Sequence, residues 1–325
     1  MKIGIILPYF GEFNNYFHIW INSVKNNPDI DWLIFTDQTL NGTLPPNCIV
    51  HNTTLNDLKK SFEVKLGLNI WLEVPYKLCD FRPLFGFLFS EYIKEYDFWG
   101  YCDCDLIFGD IRKYITDDLL NSYDKILRRG HLSLIRNDES INKNFFSYNR
   151  YKTVISSPVF YGYDESIKGY HLGFAGELIE KGYRFYDETK DIADIDFRHF
   201  PFFRIENTTK PLMFSYRSGK VYELSFTQSG IEEQEILYVH FQKRKFDFVT
   251  DNTNQELIFI PNSVVTGNEL DKQSRELWKK ISLEKDGYYD VKQEKTNSFV
   301  RDIKRFIYEP HKIDSLLYRF FKYRK

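Results

Sequence analysis

The chain has 325 residues, 42% hydrophobic and 18% aromatic, which permits one large domain or two modest ones around a real core. Its 44 Lys and Arg nearly balance 46 Asp and Glu, for a formal net charge of −2, so the whole-chain charge gives no case for a nucleic-acid partner. The four cysteines, Cys48, Cys79, Cys102 and Cys104, form no C-x-x-C and read as reduced thiols rather than as a zinc site.

Taken in chain order, "KIGIILPY" is a short apolar run ended by Pro8, the pattern of a buried strand with a loop over Pro8 to Asn15 at its carboxyl end. Phe17, Trp20, Ile21 and Val24 follow at helical spacing. "DWLIFTD", Asp31 to Asp37, is a second buried strand, and "CIVHNTT", Cys48 to Thr54, a weaker third. "LNDLKKSFEVKLG" predicts a helix that stops at Gly67, and "RPLFGFLFSEYIKEY" a long helix with Pro83 in its first turn. "YDFWGYCDCDLIFGD" is the next strand and its exit. Strands alternating with helices over a hundred residues imply an α/β fold with a mixed, mostly parallel sheet flanked by helices. Such sheets bind ligands at the carboxyl ends of their strands.

Further on, "HLSLIRN" reads as a strand, 173–181 as a helix and "YRSGKVYELSF" as a hairpin turning at Ser218-Gly219. "EEQEILYVHFQKRKF" reads as one strand with a basic exit. The last thirty residues are rich in cations at helical spacing and predict a basic amphipathic helix. The expected organisation is a core over 1–246, an extension packed on it over 247–294, a helical tail over 295–325, and no internal repeat. The amino-terminal apolar run is too short for a membrane span and lacks a leader cleavage site, so the expected location is the cytosol.

The acids of "WGYCDCDLIFGD" pose the functional question, because a buried strand avoids unpaired carboxylates. In an extended strand Asp103 and Asp105 share a face. Such a pair suits a hard divalent cation, Mn²⁺ or Mg²⁺, that leaves positions for phosphate and water. Equally, a D-x-D after a strand can be a turn whose acids cap backbone N–H groups.

Five blocks in order carry a resemblance: Leu7-Pro8-Tyr9-Phe10-Gly11, Phe35-Thr36-Asp37, Lys77 to Pro83 ("KLCDFRP"), Gly100 to Asp105 ("GYCDCD") and His240 to Arg244 ("HFQKR"). Over 2–246 the sequence resembles the GT-A fold (Rossmann-like) glycosyltransferases of bacterial capsule and surface-polysaccharide gene clusters. The resemblance implies a nucleotide-sugar donor, UDP-linked, and a glycan or lipid-linked acceptor. It places Pro8, Tyr9, Phe10 and Asp37 near the nucleoside, Asp103 and Asp105 at the ribose and metal, His240 as a further ligand, and Lys243 and Arg244 at phosphate. It also enlists Lys77, Asp80 and Arg82 for the donor, although Asp80 reads equally as a helix cap beside a solvated cationic rim. The acid in "GFAGELIEKG", Glu177, resembles the general base of inverting members, with a favourable helix-dipole position as the alternative. Asp194 and Asp196 form a second i, i+2 pair, fit for sugar hydroxyls or for an ordinary polar loop. His240 has the plainer reading of a core histidine, and the basic tail reads as a packed terminal helix or as a peripheral contact with the inner face of an anionic membrane. The competing functions are nucleotidyl or phosphoryl transfer, which lacks its Gly-rich phosphate loop here, and a non-catalytic carbohydrate-binding module.

Overall fold

A computed structural model describes residues 1–40, 42–165, 173–199, 201–227, 230–248 and 255–267. Its main sheet is seven-stranded, with β1 (Ile3–Pro8), β2 (Ile30–Thr36), β3 (Cys48–Asn52), β4 (Phe98–Cys102), β6 (Lys125–Arg129), β7 (Leu132–Arg136) and β8 (Phe185–Tyr186) in the order β3-β2-β1-β4-β7-β6-β8. β1 pairs parallel with β2 and β4, and β2 with β3. β7 runs antiparallel to β4 and β6. The architecture is therefore mixed α/β, as the strand–helix alternation predicts.

Side-chain alternation sorts the core onto the two faces of this sheet. Ile6, Leu33, Phe35, Trp99 and Tyr101 pack on one face. Ile3, Ile5, Leu7, Trp32, Ile34, Phe98 and Cys102 pack on the other. Helix α1 (Phe17–Lys25) buries Ile19, Trp20 and Val24, while Phe17 and Ile21 of the predicted stripe are only partly buried. Helix α2 (Leu55–Leu66) starts where the Thr54 hydroxyl accepts the Asp57 N–H at 3.1 Å, and ends at Gly67 with φ +63°. That left-handed C-terminal residue is why glycine stands there.

The predicted long helix from Pro83 does not form. A 3₁₀ helix spans Pro75–Leu84, a short α turn spans Phe85–Leu88, and irregular turns follow. The physical reason is the distribution of apolar residues. Phe81, Leu84, Phe85, Leu88, Phe89 and Ile93 are all buried in one cluster. Tight turns fold them into a single knot, each contributing about 1.5–3 kcal/mol by burial.

The chain moves outward from β1 to β2 and β3, then returns to place β4 on the other side of β1. The carboxyl ends of β1 and β4 thus flank a topological switch point, where the crevice of an α/β sheet opens.

Two further sheets lie among the described residues. β10 (Phe202–Arg204), β11 (Asn207–Arg217), β12 (Lys220–Thr227), β13 (Gly230–Ile236), β15 (Asp247–Phe248), β16 (Leu257–Ile260) and β17 (Ser263–Thr266) form the second, in the order β13-β12-β11-β16-β17-β15 with β10 on β11. The Ser218-Gly219 hairpin lies here, with positive φ of 50° and 74° at its two central residues. This sheet corrects the expected boundary at 246, because β15–β17 belong to the same sheet as β11–β13. Of the expected extension, Asp247–Phe248, Leu257–Ile260 and Ser263–Thr266 are strands of this sheet. The remainder of that extension, 268–294, and the basic tail over 295–325 lie outside the described residues.

The third sheet is small: β5 (Leu106–Phe108), β14 (Tyr238–His240) and β9 (Ile192–Asp194) in the order β5-β14-β9. The run expected as one strand over 232–246 is thus two, β13 and β14, broken near Leu237 where the chain leaves one sheet for another. Among the described residues no helix is long and apolar enough to cross a membrane.

Candidate metal centre

The register of the third sheet builds the site. β14 pairs parallel with β9, setting His240 opposite Asp194. It pairs antiparallel with β5, setting His240 opposite Leu106, one residue after Asp105. β4 ends at Cys102, so Asp103 and Asp105 lie in the link that carries the chain from the main sheet to the small one. This corrects the expectation of two acids on one strand face: the link, not the pleat, brings them together.

The link is fixed from both sides. The Asp103 N–H donates to the His131 carbonyl at 3.2 Å, and the Phe241 N–H to the Asp105 carbonyl at 3.0 Å. From the β1–α1 loop, Asn14 Nδ2 donates to the Cys104 carbonyl at 2.7 Å. The Tyr16 hydroxyl reaches the Asp105 carbonyl at 3.4 Å.

One carboxylate of Asp103, one of Asp105 and one ring nitrogen of His240 lie within 4.8 Å of one another. His240 Nε2 stands 3.2 Å from Asp105 Oδ1, and its Nδ1 lies 2.8 Å from Asp194 Oδ1. Burial alone would lower the His240 pKa, but the carboxylates of Asp105 and Asp194 outweigh it and hold it up at about 10. A second imidazole, His131, stacks on His240 with centroids 4.4 Å apart. Burial, and then the neighbouring His240, push its pKa well below the ordinary value, so it is neutral. The Tyr238 hydroxyl lies 2.7 Å from His131 Nδ1. Asp194 also accepts from Gln242 Nε2 at 3.0 Å.

The donor set suits a divalent cation. Asp105 Oδ1 is buried, and the close partner it has is the His240 ring at 3.2 Å. Two carboxylates and an imidazole match the ligand preferences of Mn²⁺ better than those of Mg²⁺. Asp194, hydrogen-bonded to Nδ1, would hold the ring so that Nε2 faces the ion, the usual support of a ligating histidine.

Around this core the predicted residues divide. Pro8, Tyr9 and Asp37 gather at the switch point: the Tyr9 N–H donates to the Phe35 carbonyl at 2.8 Å, and the Gly11 N–H to Asp37 Oδ1 at 3.3 Å. Phe10 instead turns into the core and is buried. Lys243 is exposed on the exit from β14, its ammonium 5.2 Å from the Phe197 ring centroid.

Arg244 is corrected. Its guanidinium is buried against the carbonyls of Asp196, His199 and Pro201 and lies over the Phe202 ring, so it braces a loop rather than facing phosphate. Lys77 and Asp80 are corrected in the same way. They form a fully buried ion pair at 2.8 Å. Lys77 also donates to the Val159 carbonyl, and Asp80 accepts from the N–H groups of Tyr161 and Tyr163. Arg82 does reach the site, but as a partner of protein acids: one nitrogen binds Asp103 and the other binds Asp164 at 2.9 Å. Burial raises the Asp103 pKa against the pull of that guanidinium.

The three expected catalytic acids also move. Asp194 belongs to the support of His240. Asp196 is held by the Arg198 side chain and its N–H, a local loop clasp. Glu177 sits in the first turn of the helix Phe174–Glu180, fully buried, accepting from the Tyr163 hydroxyl at 2.8 Å. A carboxyl with no exposed surface does not serve as base to an acceptor in this arrangement.

Burial raises the Glu177 pKa to about 7 against the help of Tyr163 and Arg150. Between the unfolded value near 4.5 and 7 the folded state keeps a proton that the unfolded chain has released, so stability falls as pH rises through that window. Glu177→Gln should therefore gain stability over the parent between pH 5 and pH 8, by roughly 3 kcal/mol at the upper end. Urea unfolding at both pH values checks this; a difference that does not change with pH refutes the assignment.

A family model matches residues 5–268. The chain belongs to DUF6625, a family of unknown function. No curated protein matches this DUF6625 member. Among solved structures, it is similar to the galactosyltransferase LgtC in complex with donor and acceptor sugar analogs, at 14% identity and TM-score 0.36, covering 60% of this chain and 76% of that one. It is also similar to the glycosyltransferase GlyE of Streptococcus pneumoniae TIGR4, at 12% identity and TM-score 0.29, covering 58% of this chain and 46% of that one. Likeness this loose carries no argument about chemistry, which rests on the site itself.

Proposed function

We propose that the chain is a metal-dependent glycosyltransferase that takes a sugar from a nucleotide diphosphate, UDP-linked, and passes it to a glycan or lipid-linked acceptor in surface-polysaccharide synthesis. The observation that carries this reading is the convergence of Asp103, Asp105 and His240 at the switch point, with ligand atoms within 4.8 Å of one another. The bound cation would supply charge neutralisation at the departing diphosphate. Asp103, Asp105 and His240 hold it, Asp194 orients His240, and Arg82 fixes Asp103. Lys243 would on this reading contact phosphate, and Asp37 and Tyr9 would contact ribose and base. On this reading the enzyme works in the cytosol, and the basic 295–325 segment is its contact with an anionic membrane surface.

Calorimetry with UDP tests the proposal. Binding is expected with MnCl₂ present and lost in EDTA, accompanied by slow Mn²⁺-dependent release of UDP from UDP-glucose or UDP-galactose. Equal UDP binding in EDTA, or none under either condition, refutes it.

A further inference from the structure

In a 3₁₀ helix residues three apart eclipse one another. Over Pro75–Leu84 this makes two edges of different character. Lys77, Asp80 and Pro83 form the inner edge, buried with its ion pair. Tyr76, Cys79 and Arg82 form the outer edge.

The segment from Val159 to Asp164 runs beside both. Val159, Tyr161 and Tyr163 serve the inner edge through Lys77 and Asp80. Phe160 and Asp164 serve the outer one: the Phe160 ring lies 4.9 Å from that of Tyr76, and Asp164 binds Arg82 at 2.9 Å. Between them stands Gly162, where an added Cβ would meet nothing closer than the Phe160 ring at 3.9 Å.

The outer edge therefore has an open aromatic end and a buried charged end, with half-buried Cys79 between them. At one end two aromatic rings are open to solvent, Tyr76 at 66% and Phe160 at 40% exposure. At the other, Arg82 holds Asp103 of the metal centre. Six residues of 3₁₀ rise separate the ends by about 12 Å, the span of one or two pyranose rings. Exposed aromatic pairs beside a polar cleft are unusual on a surface and suit ligands with one apolar and one hydroxylated face. The charge at the far end is one cation between two carboxylates, which disfavours an anionic ligand.

We infer that this edge is a saccharide subsite, in which an uncharged pyranose stacks on Tyr76 and Phe160 and the next sugar unit extends toward Asp103 and Arg82. As an acceptor subsite it rests on the proposed glycosyl transfer, whereas sugar binding by the Tyr76–Phe160 pair stands independently of it.

The test is saturation-transfer NMR on the full chain with the methyl glycosides of galactose, glucose and N-acetylglucosamine, and with glucuronate as the anionic comparison. At least one neutral glycoside should bind and glucuronate should not. Tyr76→Ala and Phe160→Ala should each weaken binding about threefold to tenfold, and Tyr76→Trp should retain it. Thermal melts should be unchanged, since both rings are exposed. Mn²⁺–UDP affinity, read on the same variants, should match the parent. Absence of binding by every neutral glycoside, or binding indifferent to both alanine variants, overturns the subsite. Loss of Mn²⁺–UDP binding in the parent protein would instead overturn the transferase reading and leave the sugar result to be judged by its own arms.

Discussion

Asp105→Asn should abolish metal-dependent UDP binding, with a loss of at least about a hundredfold, while the protein stays folded. The amide keeps the size of the side chain but removes the charge that a divalent cation needs beside Asp103 and His240. Fold survival is expected because an amide of the same size can still contact the His240 ring, and the Asp105 backbone carbonyl, which the substitution leaves alone, holds the Phe241 N–H. His240 retains Asp194 as its partner at 2.8 Å, so no buried charge is stranded. The measurement is a Mn²⁺ titration of UDP binding beside a thermal melt. A variant that melts like the parent and titrates like the parent removes the metal from the site.

Much of this architecture can be read from residue order, for identifiable reasons. β1, β2 and α1 follow from local apolar pattern, and α2 is bracketed by Thr54 and Gly67, both visible as helix punctuation. The D-x-D link and His240 also stand out, because acids and a histidine beside apolar strands demand partners. What escapes is whatever depends on distant pairing. His131 is an unremarkable turn residue in the sequence, yet the β6–β7 turn stacks it on a histidine 109 positions later. Asp194 and Asp196 look alike as an i, i+2 pair, but register gives the first to His240 and Arg198 takes the second. Lys77, Asp80, Arg82 and Arg244 all read as ligand-facing charges. Three of them are consumed inside the protein, and only the 159–164 segment and the 196–201 loop, far along the chain, explain why.

That distinction predicts a large stability effect. Asp80→Ala should cost about 3–5 kcal/mol, since removing one member of a buried pair leaves the other as an uncompensated charge. Lys77 would keep the Val159 carbonyl and the face of the Tyr161 ring but no counter-charge. The N–H groups of Tyr161 and Tyr163 would lose their shared acceptor, so the 159–164 segment should loosen with it. Lys77→Met should be much milder, because an aliphatic side chain of similar length restores packing, leaving Asp80 with its two backbone donors. Denaturant unfolding of both variants reads the difference directly. A donor-binding role for the pair predicts the opposite pattern, with near-parental stability for Asp80→Ala and a specific loss of UDP affinity. A small stability change in Asp80→Ala would therefore return the pair to the ligand site, whereas a large one fixes it as the pin that holds the 3₁₀ helix, and with it Arg82, against the metal centre.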